Sequence, residues 1–207
     1  MLTLFHAPDS RSTRAVALLK ELDALDAVQI EIVSVRRQDG SGQADPRNPH
    51  PEGKVPYLVQ DGVGIGESIA IFQHLADLFP ARELNIAPGD PQRGAYLAWF
   101  AWYAGVMEPV ILLDALKVAH PALQYTFRGN TELHARLDAA LAQNEFLLGD
   151  RFTADLLLAS PYAWFGKPGV PRIDAWVDRC TARPGARFAA GFDQLQVQLG
   201  NPLATAT

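Results

Sequence analysis

Residues 48–71 read NPHPEGKVPYLVQDGVGIGESIAI, and this stretch decides the fold. It opens as a loop rich in proline and glycine, and the short apolar run at 54–59 then predicts a strand. The pair Asp61-Gly62 is typical of a hairpin turn, so residues 64–66 are predicted to return as a second strand. From Ser68 onward, apolar side chains recur at helical spacing. The stretch therefore predicts a β-hairpin followed directly by a helix.

The residues before this stretch add a strand, a helix and a second strand. Residues 2–6 alternate in polarity and lead into a turn, which is typical of a strand. Apolar side chains at helical spacing over 15–25 predict a helix, with Ser10 and Ser12 as candidate N-caps. Residues 30–35 predict the next strand, which completes a βαβ unit with a right-handed crossover. Residues 1–80 are thus predicted to form an α/β domain with a four-stranded sheet.

The pattern changes after residue 80. Residues 81–91 contain Pro88-Gly89-Asp90-Pro91 and are predicted to be a linker, and residues 92–207 are predicted to form an all-helical domain. Its first helix is expected to run from residue 94 to 119 with a kink at Pro109. Further helices follow, the last of them opening at Pro184.

Composition excludes several classes of protein. The formal net charge is −5 with no basic run, which argues against a nucleic-acid partner. Cys180 is the single cysteine, so an intramolecular disulfide and a cysteine-rich zinc site are excluded, and its apolar helix face predicts a buried, inert thiol. No secretory signal is apparent at the start, and the longest apolar stretch, 94–107, is about 14 residues against the ~20 that span a bilayer. We therefore expect a cytoplasmic protein without a membrane partner.

Three local features of the first domain carry the chemistry. A cis bond at Val55-Pro56 would turn the Val55 N–H and C=O outward to pair with an extended peptide, whereas a trans bond would mark an ordinary strand start. Ser68, at the start of the second helix, can be interpreted as an N-cap. Alternatively, Ser68 and the free N–H groups of the helix bind a ligand carboxylate, and Glu67 binds a ligand ammonium. Residues 9–14, DSRSTR, either cap the first helix or aim a hydroxyl at a ligand atom.

Together, in this order and spacing, these features resemble the cytosolic glutathione transferases. The matching segments cover nearly the whole chain: residues 4–12, 48–58, 67–71, 96–100 and 147–153, and Arg183-Pro184. The resemblance implies an α/β thioredoxin-like N-terminal domain plus an all-α C-terminal helical domain, which agrees with the periodicity. It also implies glutathione as co-substrate, no metal, and a homodimer.

The resemblance also implies which residues bind glutathione. The cysteinyl part would pair with the backbone before a cis proline, the γ-glutamyl end would lie at the second helix, and a cation would bind the glycyl carboxylate. Val55 and Pro56 would bind the cysteinyl part, and Glu67 and Ser68 would bind the γ-glutamyl end. Lys54 would bind the glycyl carboxylate, with Arg36 or Arg37 as alternatives to Lys54.

The catalytic hydroxyl departs from a common family pattern. Many members use a tyrosine near the end of the first strand, where this chain has Phe5 and His6, and the following turn has no cysteine. Ser10 is therefore the predicted thiolate partner. Ser12 is the alternative, because it could equally be the helix N-cap, and His6 is predicted to be a packed strand residue rather than a base.

The electrophile is expected to bind between the domains, against one face of the long helix. The predicted residues are Trp102, Tyr103, Val106 and Met107. An aromatic-rich helix is more often core, but these side chains cannot all face one neighbour. Another departure concerns Thr153-Ala154-Asp155, which is one residue short of the family's usual capping box; we expect Asp155 to cap the helix directly and this wall of the electrophile site to be more open.

The function predicted from these observations is a glutathione transferase that attacks a hydrophobic electrophile or a peroxide with a thiolate. Two alternatives stay open at this level: a glutathione-dependent isomerase or lyase of one metabolite, and a non-catalytic binding or regulatory protein with the same fold.

Overall fold

The first compact unit is built on a four-stranded mixed sheet. The computed structural model describes residues 1–200. Its strands are β1 (Leu2–His6), β2 (Val28–Ile32), β3 (Tyr57–Gln60) and β4 (Val63–Ile65), in the spatial order β2-β1-β3-β4. β1 pairs with β2 in parallel and with β3 antiparallel, and β3 pairs antiparallel with β4. The predicted order of strands and helices in this domain is confirmed.

Two helices connect or follow the strands of this sheet. α1 (Thr13–Glu21) joins β1 to β2, and α2 (Ser68–Leu78) follows β4. Between β3 and β4 the turn residues Asp61 and Gly62 have φ of 49° and 86°. Two consecutive positive φ angles are the signature of a type I′ hairpin turn, as the Asp-Gly pair predicts.

The core of this unit lies where the sheet meets its helices. In β1 the alternation of the sequence puts Leu4 and His6 in the interior, each with 0% of its surface exposed. Leu4 stands opposite Ile30 and Leu58 on the neighbouring strands. A leucine at such a position is ordinary, but a fully buried histidine needs polar partners.

The second unit consists of helices. They are α3 (Arg93–Trp102), a π-helical segment (Tyr103–Met107), α4 (Glu108–Ala115), α5 (Pro121–Thr126), α6 (Asn130–Ala140), α7 (Asp155–Ala159), α8 (Pro161–Phe165) and α9 (Pro171–Thr181). The short helices α5 and α8 have too few turns to give a clear apolar period, so the sequence pattern did not predict them.

The long helix of the second unit runs without a break from Arg93 to Ala115. Its wide π-helical turns come just before Pro109, which has no N–H to donate to the carbonyl four residues earlier, and this accounts for the predicted irregularity. The helix has 23 residues, and its most apolar 18-residue window has mean hydropathy 1.4. It therefore meets length and composition criteria for a membrane helix, which the apolar stretch of about 14 residues in the sequence did not predict. Buried core helices meet the same criteria, and Tyr96 and Phe100 are buried.

The last helix, α10 (Pro184–Gln198), begins at Pro184 as predicted, but it groups with the first unit. The first unit comprises residues 1–82 with the chain from Pro184 onward, and the second comprises Glu83–Arg183. This differs from the predicted assignment of 92–207 to one helical domain. The reason is close contact with α1: the Gly185 N–H donates to Glu21 Oε1 at 2.7 Å, and no side chain separates Gly185 from α1.

Asp155 is a buried acceptor rather than a helix cap. α7 starts at Asp155 itself, and no side chain caps its N-terminus, so the expectation of a direct cap was wrong. Asp155 Oδ1 instead accepts hydrogen bonds from the Leu147 N–H at 2.9 Å and from Trp176 Nε1 at 2.8 Å. Burial raises the pKa of the Asp155 carboxyl, and these hydrogen bonds oppose that shift. The capping box is indeed missing, since Thr153 Oγ1 is buried without a partner.

Cys180 lies on the buried face of α9, with 5% of its surface exposed. Burial raises the pKa of its thiol, which keeps the sulfur protonated. The predicted buried cysteine is confirmed.

Candidate active site

The turn between β1 and α1 presents one partly accessible hydroxyl. Ser10 is half-buried, and its Oγ donates to the Ala7 carbonyl at 2.6 Å while accepting from the Ser12 N–H at 3.1 Å. The Ser10 carbonyl accepts from the Thr13 N–H at 3.1 Å, which ties the turn to the first residue of α1. Ser10 is thus held by backbone contacts at the N-terminal end of a helix, where the dipole favours negative charge.

Ser12 occupies the N-cap position of α1, but its side chain does not cap the helix. Its surface is 0% exposed, and its Oγ lies 2.7 Å from both Ser10 Oγ and His6 Nδ1. Oγ also accepts from the Ala7 N–H at 3.0 Å. A ligand sulfur has better access to Ser10 than to Ser12, and Ser12 connects Ser10 to the interior.

His6 is a packed strand residue, as expected, but it is also part of a polar network. Its Nε2 lies 3.0 Å from Asp193 Oδ1, and Asp193 has 1% of its surface exposed. The other carboxylate oxygen, Oδ2, accepts from the Asp9 N–H at 2.8 Å and from Thr13 Oγ1 at 2.5 Å. Sequence reasoning missed Asp193 entirely, because it lies on α10, 187 positions after His6, without any local motif.

A positively charged side chain lies at the start of α2. Ser68 is the first helical residue and Glu67 takes the N-cap position, one residue earlier than the sequence predicts for the cap. The exposed Glu67 has φ 63°, a left-handed conformation that is uncommon outside glycine and clusters at functional sites. Buried Arg14, on α1, donates from Nη2 to Ser68 Oγ at 3.3 Å. Arg14 is a second residue that sequence reasoning did not single out.

The loop before β3 is held by side chains that reach its backbone. The Val55-Pro56 bond is cis, as predicted. Asn48 Nδ2 donates to the Lys54 carbonyl at 3.1 Å, and Asn48 Oδ1 accepts from the His50 N–H at 3.1 Å. Within residues 1–200 the backbone of Val55 has no hydrogen-bond partner, so it is free to pair with another extended chain.

The three candidate cations differ in their surroundings. Lys54 is exposed and ion-paired with Glu52, whose hydrogen bond raises the pKa of Lys54; Glu67 acts on that pKa in the same direction and Arg11 in the opposite one. Arg36 is exposed. Arg37 is half-buried and donates to the carbonyls of Pro8 at 2.6 Å and Asp9 at 3.3 Å, so it lies directly on the Ser10 turn.

The four residues predicted for the electrophile divide into two pairs. Tyr103 and Met107 are buried, with 2% and 0% exposed, whereas Trp102 and Val106 are half-buried. The Arg136 guanidinium lies 4.5 Å from the centre of the Trp102 ring, a cation–π contact. Trp102 and Val106 are one helical turn apart, so they share a face and keep accessible surface for an apolar ligand.

The described part of the chain offers no metal centre: within residues 1–200 no group of three or more His, Cys, Asp or Glu side chains is placed to hold a metal ion.

A mixed sheet with the order found here, a cis proline before β3 and an all-helical second unit define the thioredoxin-like glutathione transferase fold. The family model of the glutathione S-transferase N-terminal domain matches residues 4–83. Glutathione S-transferase 3 of Schizosaccharomyces pombe is 27% identical over 214 residues, covering 92% of this chain and 87% of that protein. This chain therefore carries a glutathione S-transferase N-terminal domain over residues 4–83 and is similar to glutathione S-transferases over almost its whole length.

Solved structures agree over almost the whole length. The crystal structure of a glutathione S-transferase from Actinobacillus pleuropneumoniae has a TM-score of 0.77 at 26% identity, with 94% of this chain and 93% of that chain covered. A sphingomonad glutathione S-transferase complexed with glutathione has a TM-score of 0.74 at 25% identity, with 93% and 99% covered.

Proposed function

We propose that this chain is a glutathione transferase that binds glutathione, stabilises its thiolate through Ser10, and directs it at a hydrophobic electrophile or a peroxide. The proposal includes the cytoplasmic location and the homodimer that the resemblance implies, and it needs no metal.

The observation that carries the proposal is the hydrogen bond between Arg14 and Ser68, 3.3 Å long. It joins the first turn of α1, directly after Ser10, to the N-terminus of α2. Glu67 and Arg11 both act electrostatically on the pKa of Lys54, which supports a place near these residues for the loop before β3. These observations support the proposal that three features far apart in the sequence share one polar site within the first unit.

The γ-glutamyl end of glutathione carries an ammonium and a carboxylate, and the start of α2 offers partners for both. The first N–H groups of a helix have no partner within the helix, so with Ser68 Oγ they can bind the carboxylate. Arg14 adds a buried positive charge beside that hydroxyl. The exposed Glu67 carboxylate supplies the partner for the ammonium.

The rest of glutathione is extended and peptide-like. The unpaired Val55 backbone, before Pro56, is suited to the N–H and C=O of the cysteinyl residue. Lys54 is the proposed partner of the glycyl carboxylate, with Arg36 as the alternative. Arg37 fits this role less well, because two of its nitrogens already bind the carbonyls of the Ser10 turn.

The energy needed for thiolate formation is modest. A thiol with a pKa near 8.5 is mostly protonated at neutral pH, and lowering that pKa by one unit takes about 1.4 kcal/mol. A hydroxyl that donates to the thiolate supplies roughly 1.5–3 kcal/mol, and the N-terminus of α1 about 0.3–1 kcal/mol more. Ser10 and α1 are therefore sufficient to lower the thiol pKa by one to two units. Trp102, Tyr103, Val106 and Met107 are the proposed contacts for the electrophile, and Trp102 and Val106 are the more exposed of the four.

Replacing Ser10 by alanine is expected to slow conjugation of glutathione to a generic aryl halide by about 10- to 100-fold at neutral pH, because the hydrogen bond to the thiolate is lost. Glutathione affinity should change little, since the γ-glutamyl and glycyl contacts remain. The rate is measured by product absorbance and the affinity by quenching of tryptophan fluorescence. Ser10→Thr, which keeps a hydroxyl, is the matched control and should retain most of the rate.

Three results separate this proposal from its alternatives. Binding without conjugation by the wild-type chain would favour a binding or regulatory protein. Conjugation that Ser10→Ala leaves unchanged would remove Ser10 from the reaction. Turnover of a single metabolite with no aryl-halide conjugation would favour an isomerase or lyase.

Replacing Ser68 by alanine is expected to weaken glutathione binding by about tenfold, because a charge-assisted hydrogen bond to the carboxylate is removed. Ser41→Ala is the control, since Ser41 Oγ bonds only Asp39 in the loop after β2, at 2.7 Å. The dissociation constants follow from tryptophan fluorescence titrations. Equal affinity in the two variants would contradict the proposed γ-glutamyl site.

A further inference from the structure

We propose that Asp193, His6 and Ser12 form a buried relay that accepts the thiol proton of glutathione through Ser10. This inference rests on the proposed function, since it concerns how the same serine comes to face a thiolate. It adds a base to the site and makes His6 and Asp193 positioning residues for the reaction.

The relay is a continuous chain of short contacts. Asp193 Oδ1 lies 3.0 Å from His6 Nε2, His6 Nδ1 lies 2.7 Å from Ser12 Oγ, and Ser12 Oγ lies 2.7 Å from Ser10 Oγ. The first three residues are at most 1% exposed, whereas Ser10 is half-buried. The chain therefore begins in the interior and reaches an accessible surface at the hydroxyl proposed to meet the sulfur.

The carboxylate of Asp193 determines which nitrogen of His6 carries the proton. Oδ2 already accepts from the Asp9 N–H and from Thr13 Oγ1, so the carboxylate is held in place. Its Oδ1 is an acceptor, and neutral His6 must therefore donate from Nε2. Nδ1 is then left as an acceptor for the Ser12 hydroxyl. An acid that fixes the tautomer of a histidine base, which in turn contacts a hydroxyl, is the arrangement of hydrolase triads.

The proton transfer balances without any further reactant. The S–H bond of glutathione breaks and leaves its electron pair on sulfur, and the proton goes to Ser10 Oγ. Both serine hydroxyls also lie within hydrogen-bond distance of the Ala7 carbonyl, Ser10 Oγ at 2.6 Å and Ser12 Oγ at 3.1 Å, so in this step each turns its proton away from that carbonyl. The Ser10 proton passes to Ser12 Oγ, and the Ser12 proton forms a bond to His6 Nδ1. Each serine ends with one proton, His6 becomes an imidazolium beside the Asp193 carboxylate, and the Ser10 hydroxyl now points its proton at the thiolate. After the attack, the proton leaves to the departing group or to water.

Other charges surround this turn. Asp9, Arg11 and Arg14 come from the turn and α1, Arg37 binds the Pro8 and Asp9 carbonyls, and α10 contributes Asp193. The Phe192 ring, 5.7 Å from the His6 ring, covers the imidazole from α10. Asp193 is thus the carboxylate in direct contact with the imidazole.

Asp193→Asn tests the relay. The amide is the same size, but its NH₂ would donate to Nε2, force the proton onto Nδ1 and remove the acceptor for Ser12. We expect kcat at neutral pH to fall by about 10²-fold, with glutathione affinity within about twofold of wild type. The deficit should shrink toward about pH 9, where the thiol ionises without help. Ultraviolet absorbance of the bound thiolate against pH should show the same displacement toward higher pH.

Two further variants distinguish a relay from a structural role. Ser12→Ala cuts the chain at another point, and combining it with Asp193→Asn should cost no more activity than either change alone, because residues that act as a unit are not additive. Ser34→Ala removes a buried hydroxyl that accepts from the Gln43 N–H at 3.2 Å and contacts no residue of the relay, so it should lower stability but leave kcat within about threefold. If Asp193→Asn does not fold, Ser12→Ala gives the same titration readout.

The relay is overturned if the bound thiol titrates as in wild type in both Asp193→Asn and Ser12→Ala, or if Ser34→Ala lowers kcat as much as they do. If the wild-type chain binds glutathione and forms a thiolate, and Asp193→Asn and Ser12→Ala form the thiolate equally well, the relay fails but the proposed function stands. If the wild-type chain binds no glutathione, the proposed function fails and the relay with it.

Discussion

Replacing Asp155 by alanine is expected to lower the free energy of unfolding by about 3–5 kcal/mol, a large part of the stability of a typical domain. The carboxylate is fully buried and accepts from the Leu147 N–H, from Trp176 Nε1 and, at 3.3 Å, from the Thr153 N–H. Alanine would leave those donors buried without an acceptor. The loop before α7 and Trp176 of α9 would lose the carboxylate that binds them both. Chemical denaturation followed by circular dichroism measures the loss.

Three variants control this prediction. Asp155→Asn keeps an acceptor for Leu147 and Trp176, and because burial disfavours the charged carboxylate, the neutral amide should lose clearly less stability than alanine. Thr153→Val removes a buried hydroxyl that has no partner, so it should be neutral or slightly stabilising. Exposed Asp150, in the same loop, should tolerate alanine. Equal losses for alanine and asparagine at 155 would contradict the role as an acceptor.

Replacing Gly185 by alanine is expected to cost about 2–3 kcal/mol of stability, because α10 approaches the backbone of α1 at this residue. A Cβ at Gly185 would lie 2.5 Å from the Ala17 carbonyl oxygen and 2.5 Å from Glu21 Cγ. Glu21 can turn away, with loss of its hydrogen bond to the Gly185 N–H, but the carbonyl of α1 cannot. The helices must separate, and Asp193, further along α10, would move relative to His6. Thermal unfolding measures the first effect and the conjugation rate the second.

Gly191→Ala, in the same helix, is the matched control. Gly191 is exposed and its Cβ would meet nothing within 4 Å, so alanine there should stabilise the chain by about 0.5–1 kcal/mol through helix propensity. A Gly185→Ala variant as stable as Gly191→Ala would show that the contact between α1 and α10 does not depend on glycine.

Local features of the fold were predictable from short stretches of sequence. The hairpin turn follows from Asp61-Gly62, since only residues that tolerate positive φ fit a type I′ turn. The start of α10 follows from Pro184, whose fixed φ and missing N–H suit the first turn of a helix. The start of α2 was placed within one residue for similar reasons. In each case the decisive physics lies between residues that are neighbours in the chain.

The site was only partly predictable. Ser10, Val55 and Ser68 belong to motifs with local meaning, so sequence reasoning selected them. Arg14 and Asp193 belong to no motif: the first looks like a surface arginine on a helix, and the second like one acid of a terminal amphipathic helix. The roles proposed for them follow only from the residues that they contact in the folded chain.

By itself, the sequence determined the strand and helix order, the turn chemistry and the polar segments of the proposed glutathione site, because alternation, helical period and backbone preference act over a few residues. Only the tertiary structure decided that α10 packs on α1, that Asp155 binds Leu147 and Trp176, and that Asp193 meets His6 across 187 positions. A buried polar group needs a partner wherever the folded chain can supply one. No short-range pattern records which residue that partner will be.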